Sequence, residues 1–452
     1  MARRRGRFAF VKGLVLALVL ASPVRAWASS ASSFRSISYE VSLTPDFGAG
    51  VLTGVERLRL RSLEDGLQTL SFTANSMAVN ATLDGAGPVT EAIDGGRRVF
   101  HLPRRLRRGE TATLAITFAG RPRRDVVFDA DQIHTGYFTC EAMICDIDRP
   151  DDRATFRLSL TLPVGDEAVA PGRLVSRASA GPGVETWTWR EDRPYPSYLY
   201  GFAAGRYTRV LLKGDPAFPV LSRDETPARV QAMFADTARM AAFFEAKAGL
   251  PLPELGYTQV LVARHGDQED AGLSLIEAAS IDPILTDPHE DWILAHELAH
   301  QWWGNWVTCA DWKELWLNEG LTSFMVAAYK EQRWGRAAYD REIAIGRDDM
   351  AAAKAAGLDE PLSWPGAYPS LKAKRWIAYG KSVVFLDALR TALGEDAFWR
   401  GLKAYTRANA GRSVTAADLQ AAFERTSGRD LTALFRAWVF GDGPAEGSPA
   451  HP

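Results

Sequence analysis

The feature that most restricts the folds open to this chain is a change of sequence period near residue 208. From about Ser36 to Tyr207, short runs alternate apolar and polar residues: ISYEVSLTP, VERLRLRS, RRVFHLP, TATLAITFAG, ATFRLSLTLP and ETWTWRED. Gly, Pro and Asp clusters separate them. Successive side chains on a strand point to opposite faces, so each run can bury one face and wet the other. This predicts an antiparallel β domain over residues 29–207. Beyond it the spacing turns helical. PARVQAMFADTARMAAFFEAKAGL carries apolar residues three and four apart and stops at Gly249 and Pro251. YTQVLVA (257–263) is a short buried strand. The rest is mostly helical, from DWILAHELAHQWWG to LTALFRAWVFG. The fold class is therefore α+β, with a mostly helical domain over residues 208–441 and a loose tail, 442–452.

Composition removes some functions and the N-terminus suggests a location. Fifty-three basic residues nearly balance 55 acidic ones, for a net charge of −2. Nothing in that balance points to nucleic acid as a partner. Residues 2–7, ARRRGR, are followed by the apolar run GLVLALVLA and then by Ala26-Trp27-Ala28. A positive head, a short apolar middle and a small-residue end make a secretory signal peptide over residues 1–28. The alternative, a membrane anchor, needs roughly 20 apolar residues, more than this run supplies. The expectation is an exported protein, periplasmic or secreted, with no stable membrane span after cleavage. Of its three cysteines, Cys140 and Cys145 could form a bridge or remain buried thiols. No C-x-x-C pair exists to hold a metal.

The chemistry lies in HELAH, residues 296–300. Positions i and i+4 share one face of a helix, so His296 and His300 can bind one Zn2+ ion. Glu297 sits one residue round, placed to move a proton rather than to ligate. Catalytic zinc needs a third protein ligand and an open fourth position. Glu319, in LWLNEGL with eighteen residues between it and His300, fills the third place at the start of the next helical run.

HELAHQWWGNWVT followed by WKELWLNEGLTSF resembles the zinc aminopeptidase family of the gluzincin clan, which includes the alanyl aminopeptidases and leukotriene hydrolase. PYPSYLYGFAAGRY, FFEAKAGLPLPELGYTQVLV, IAYGKSVVFLDAL and LFRAWVFGDGPA are similar to further segments of that family. The resemblance implies a saddle-shaped β domain followed by a thermolysin-like catalytic domain, without the helical C-terminal domain of longer relatives. It also implies peptide substrates and a catalytic tyrosine at Tyr379, whose phenol would donate to a developing oxyanion. Y-x-K spacing to Lys381 supports that placement.

Substrate choice depends on carboxylates able to hold a free α-ammonium. YFTCEAMICDIDRPDDRATF resembles the family's recognition segment in the β domain, and Glu141 matches its recognition residue. The family's second segment, G-x-M-E-N, has a less regular counterpart in DAGLSLIEAASID. Alignment on Ala271-Gly272-Leu273 puts Ser274 at the glutamate position, and a shift of three puts Glu277 there. Acidic Asp267, Glu269 and Asp270 just upstream offer compensating charge. The expected activity is aminopeptidase action. A zinc oligopeptidase or non-peptide hydrolase with altered amine recognition, and a non-catalytic binding protein on the same fold, are the alternatives. Trp302, Trp303 and Trp306 read as core packing around the site.

Overall fold

The computed structural model describes residues 32–73, 77–122, 126–129, 131–136, 143–253 and 256–441. The signal-peptide segment, the tail 442–452, Cys140 and Glu141 lie outside these residues.

The alternating runs form a ten-stranded sheet. Its spatial order is Arg173–Gly181, Val184–Pro196, Arg153–Pro163, Phe34–Asp46, Val51–Ser62, Thr111–Gly120, Ala78–Leu83, Gly87–Asp94, Arg97–Leu106 and Leu67–Thr73. One pairing departs from the antiparallel expectation. Phe34–Asp46 runs parallel to Arg153–Pro163, with Tyr39 opposite Phe156 and Leu43 opposite Leu160. The intervening chain builds the far half of the sheet and returns, which a parallel pair allows and a tight hairpin does not. The inward residues Tyr39, Val41, Leu58, Leu60, Leu114, Ile116, Leu158 and Leu160 form a core of their own.

A second sheet begins at Thr208–Leu211 and continues through Pro219–Ser222, Thr258–Val262 and Leu273–Glu277. Its first pair is antiparallel and the next two are parallel. Helices Thr237–Ala248, Trp292–Ala299, Trp316–Trp334, Arg336–Ala355, Ser382–Leu393 and Glu395–Asn409 pack around a separate apolar core, in which Trp302, Trp303, Trp316 and Phe324 are fully buried. No helix among the described residues is long and apolar enough to cross a membrane.

The two halves meet through named polar contacts. Tyr198 O–H donates to the Gly304 carbonyl at 3.0 Å, and Asn318 Nδ2 donates to Tyr198 Oη at 3.2 Å. Arg153 donates to Thr308 Oγ1 at 2.7 Å. Tyr198 thus joins the β domain to both the turn that follows the histidine motif and the helix that bears Glu319.

Candidate active site and metal centre

His296 lies inside the helix Trp292–Ala299, and His300 is the residue that caps its C-terminal end. Glu319 lies in the first turn of the helix Trp316–Trp334. All three are buried, and their ligand-type atoms lie within 4.8 Å of one another. The two Nε2 atoms are 3.0 Å apart, with Glu319 Oε2 at 3.3 and 3.4 Å from them.

This geometry fits a zinc ion on the chain's own chemistry. His300 Nδ1–H donates to the Trp303 carbonyl at 3.1 Å, which turns the Nε2 lone pair toward His296 and Glu319. Glu319 Oε2 is buried without a hydrogen-bond donor. Burial pushes His296 down to about 4, aided by nearby His300, so its ring is neutral and able to ligate. Two imidazoles and one carboxylate are the nitrogen and oxygen donors that catalytic zinc sites use.

Local backbone makes the geometry possible. The α-helix ends at Ala299 and the chain turns through Gly304, at φ +122°. A Cβ at Gly304 would lie 2.5 Å from His300 Nδ1, so only glycine lets the turn pass over that ring. The same turn takes Trp302 and Trp306 off a shared helix face. Trp302 and Trp303 are core residues, with indole N–H groups donated to Leu250 and Pro251 carbonyls and to Thr406 Oγ1. Gly320, next to Glu319, packs directly on Ser382, drawing the glutamate helix against the segment that carries Tyr379.

Tyr379 stands in a π-helical stretch, Arg375–Lys381. Its ring lies 5.7 Å from the His296 ring, at 21°. Lys381 Nζ donates to Asp359 Oδ1 and to the Glu360 carbonyl, both at 2.8 Å, which anchors the turn from below. Such wide turns occur mostly as single-turn insertions inside α-helices, frequently at functional sites.

The acidic residue beside the metal ligands is neither Ser274 nor Glu277. Ser274 is fully buried in its strand, and its Oγ accepts from Tyr257 O–H at 2.6 Å. Glu277 ends the strand half-buried, and its N–H donates to Asp267 Oδ1 at 3.2 Å. Glu269 instead joins Glu297 and His300 in a second group of converging ligand-type atoms. Neither aligned residue joins the converging group; the acid that does, Glu269, lies five and eight residues upstream of them. The missed signal was Gly266-Asp267-Gln268-Glu269-Asp270, which keeps the glycine and glutamate of G-x-M-E-N while Gln and Asp replace Met and Asn. His265 and Asp267 take left-handed conformations, at φ 55° and 61°, which fold the segment back toward the helix.

The histidine motif itself holds that segment. Gln301 Nε2 donates to the Asp270 carbonyl at 3.1 Å, and Gln301 Oε1 accepts from Gly272 N–H at 2.9 Å. Asn305 Nδ2 donates to the Glu269 carbonyl at 3.0 Å. From the β domain, Gly201 N–H donates to Asp270 Oδ1 at 3.1 Å, and Gly201 has no room for a Cβ there. The polar residues of HQWWGN are thus the clamp of the acidic loop.

Glu297 points into this group with Oε2 buried and without a donor. Burial raises its pKa well above the carboxylate range, with further raising by Glu269, Asp267, Glu319 and Asp270. Burial likewise raises Glu269 to about 7, with Glu319 adding to it and His300 opposing. A pocket of crowded, under-partnered carboxyls is built to receive positive charge.

The comparisons agree with this architecture. Residues 269–438 match the Peptidase family M1 domain. The chain is 25% identical over 441 residues to an aminopeptidase N of Streptomyces lividans, covering 89% of this chain and 50% of that one. It is 26% identical over 415 residues to an aminopeptidase N of Lactococcus lactis, covering 82% and 47%. It therefore spans about half the length of these curated relatives. Among solved structures, an M1 zinc metallopeptidase mutant from Deinococcus radiodurans superposes with a TM-score of 0.73 at 25% identity, covering 93% of this chain and 96% of that one. A two-domain M1 zinc metallopeptidase mutant bound to L-tryptophan gives a TM-score of 0.75 at 24% identity, covering 92% and 96%. Motif, geometry and these matches converge on one finding: residues 269–438 of this chain match the Peptidase family M1 domain, and the fold is that of the two-domain M1 metallopeptidase structures.

Proposed function

We propose that the protein is a zinc-dependent aminopeptidase that releases N-terminal residues from peptides. The observation that carries this reading is the convergence of two buried groups on His300: the triad His296, His300 and Glu319, and the carboxyl pair Glu269 and Glu297. Zinc held by the triad would polarise the scissile carbonyl and lower the pKa of water toward ~7. Glu297 accepts the proton of the attacking water and returns it to the leaving amine. Tyr379, beside the His296 ring, donates a hydrogen bond from its phenolic O–H to the oxyanion. Glu269 holds the substrate's α-ammonium, with Glu141 as its partner from the β domain. The departure at Ser274, which motivated other specificities, loses its force because Glu269 supplies the carboxylate from the preceding loop.

Replacing Glu297 with Gln tests the reading. The variant retains zinc by metal analysis and loses about 10²–10⁴-fold in kcat. Full turnover without this carboxylate would refute the assignment. Wild-type enzyme cleaves free peptides and spares their N-acetylated forms; equal cleavage of both would leave a zinc hydrolase but not an aminopeptidase. Export rests on the N-terminal sequence pattern alone. Mature protein that begins after Ala28 would support it, and mature protein that retains Arg3 would overturn it.

A further inference from the structure

The two histidines of the triad are held in place by different means. An imidazole turns about a broad side-chain torsion, so something must fix its plane before Nε2 can face a metal. For His300 the Trp303 carbonyl does this, accepting from Nδ1–H at 3.1 Å. His296 has no such hold. Its Nδ1 is buried and lacks a hydrogen-bond partner. The second ring nitrogen of a ligating histidine is almost always hydrogen-bonded, and leaving a buried polar atom unpaired is costly. The plane of His296 must therefore be fixed by something other than a hydrogen bond.

The helix supplies the means. Trp292, His296 and His300 follow one another at intervals of four residues. Helical side chains at that spacing share a face and lean toward the N-terminal end, so His296 leans over the turn that carries Trp292. The two rings are stacked, with centres 4.3 Å apart and planes at 17°. Tyr379 also lies nearly parallel to the same imidazole, at 5.7 Å and 21°. The His300 ring instead meets it edge-on, at 4.6 Å and 89°. Trp292 is half-buried and packs against the core of the catalytic domain, so the stacking surface is itself held. Flat contact of this kind restrains the imidazole plane, as the carbonyl does for His300.

We propose that Trp292 is a positioning residue of the metal centre: its indole fixes the plane of His296 and favours the metal-bound form of that ring. This rests on the zinc reading of the triad given above. The second half of the proposal follows from charge. An imidazole that gives its Nε2 lone pair to a divalent cation loses electron density and becomes partly positive. An indole face is electron-rich, and of the aromatic faces it attracts positive charge most strongly. The stack therefore gains when metal binds, which raises affinity as well as restricting the ring. A phenyl face does the same more weakly, and an aliphatic side chain of similar polarity does neither.

The test measures zinc affinity of the full chain by competition with a chromogenic chelator, beside thermal unfolding of the metal-free protein. Trp292→Phe keeps a flat aromatic face and stays within about threefold of the wild type. Trp292→Leu and Trp292→Met are apolar without such a face, and each weakens zinc binding by about tenfold or more. The metal-free forms of the three variants unfold at closely similar temperatures, because all three keep an apolar side chain at a half-buried position. Should one of the two aliphatic variants fail to fold, the other decides. Trp292→Leu and Trp292→Met proteins that bind zinc as tightly as Trp292→Phe would overturn the proposal and leave the triad intact. So would a loss of affinity that merely follows a matching loss of metal-free stability. A wild type that binds no zinc would overturn the reading of the triad, and this proposal with it.

Discussion

The protein buries two clusters of acids, one in each half, and treats them differently. In the β domain, Asp146 accepts from Thr73 Oγ1 at 2.5 Å and from Ser197 Oγ at 2.6 Å. Asp152 accepts from Ser36 N–H at 3.0 Å, and Glu56 accepts from Cys145 N–H at 2.8 Å. One Glu56 oxygen lacks a donor, and burial pushes that carboxyl up to about 8, where it is neutral at ordinary pH. In the catalytic domain, Asp270, Glu297 and Glu319 each keep a buried oxygen without a donor. Burying a polar group without a partner is costly. A cluster supplied from within is structural, whereas one left short of donors is waiting for cations from outside. On the proposed function, those cations would be the metal and the substrate's amine.

That contrast can be broken or sharpened experimentally. The largest effect should come from chelation. Metal at a thousandfold excess over its dissociation constant stabilises the folded state by about 4 kcal/mol. Thermal unfolding with and without chelator measures this, and a difference confined to the β domain would break the contrast. Next is Glu269→Ala, which should cost about 10²-fold in kcat/KM on free peptides. Ser274→Ala, by contrast, should act on stability and leave specificity in place. The reverse ranking would restore the first sequence alignment. Gly304→Ala should weaken metal affinity by about 10–100-fold, because it displaces the ring whose Nδ1–H the Trp303 carbonyl holds. Competition with a metallochromic chelator reads that shift.

A further effect belongs to the β domain and depends on pH. The folded-state pKa of Glu56, about 8 against an ordinary 4.5, means that the folded form holds a proton the unfolded form releases. This contribution therefore favours folding below the unfolded pKa and is lost as pH rises toward 8, with a slope of up to about 1.4 kcal/mol per pH unit. Glu56→Gln should flatten that slope in denaturant titrations. An unchanged slope would show that the acid does not titrate in this window.

The same contrast explains what could be read from the sequence. The metal triad was legible because it rests on regular helices. One helical repeat places His296 over His300, and a recognisable flank locates Glu319. The division into a strand-patterned half and a helical half was legible for a similar reason, since period two and period 3.6 are local signals. The parallel pairing of Phe34–Asp46 with Arg153–Pro163 was not, because alternation gives the face of a strand and not its neighbour. Glu269 was missed because a loop positions it. Its place depends on two left-handed residues and on donors from Gln301, Asn305 and Gly201, all distant in sequence or hidden inside another motif. Cys145 and Cys309 are buried free thiols, and burial pushes both well above the ordinary thiol range.

The short strand after the histidine turn, Val307–Cys309, pairs in parallel with Arg412–Val414, far along the chain. Gly411 N–H donates to the Trp306 carbonyl at 3.0 Å, Ala310 N–H to Val414 at 2.7 Å, and Ser413 Oγ–H to Pro150 at 3.1 Å. Contacts between residues so distant in sequence form late, after much loop entropy has been lost. The turn that orients His300 thus receives support from residues that leave the ribosome well after it does. A nascent chain therefore carries His296, His300 and Glu319 before it carries the brace that steadies the turn beside them.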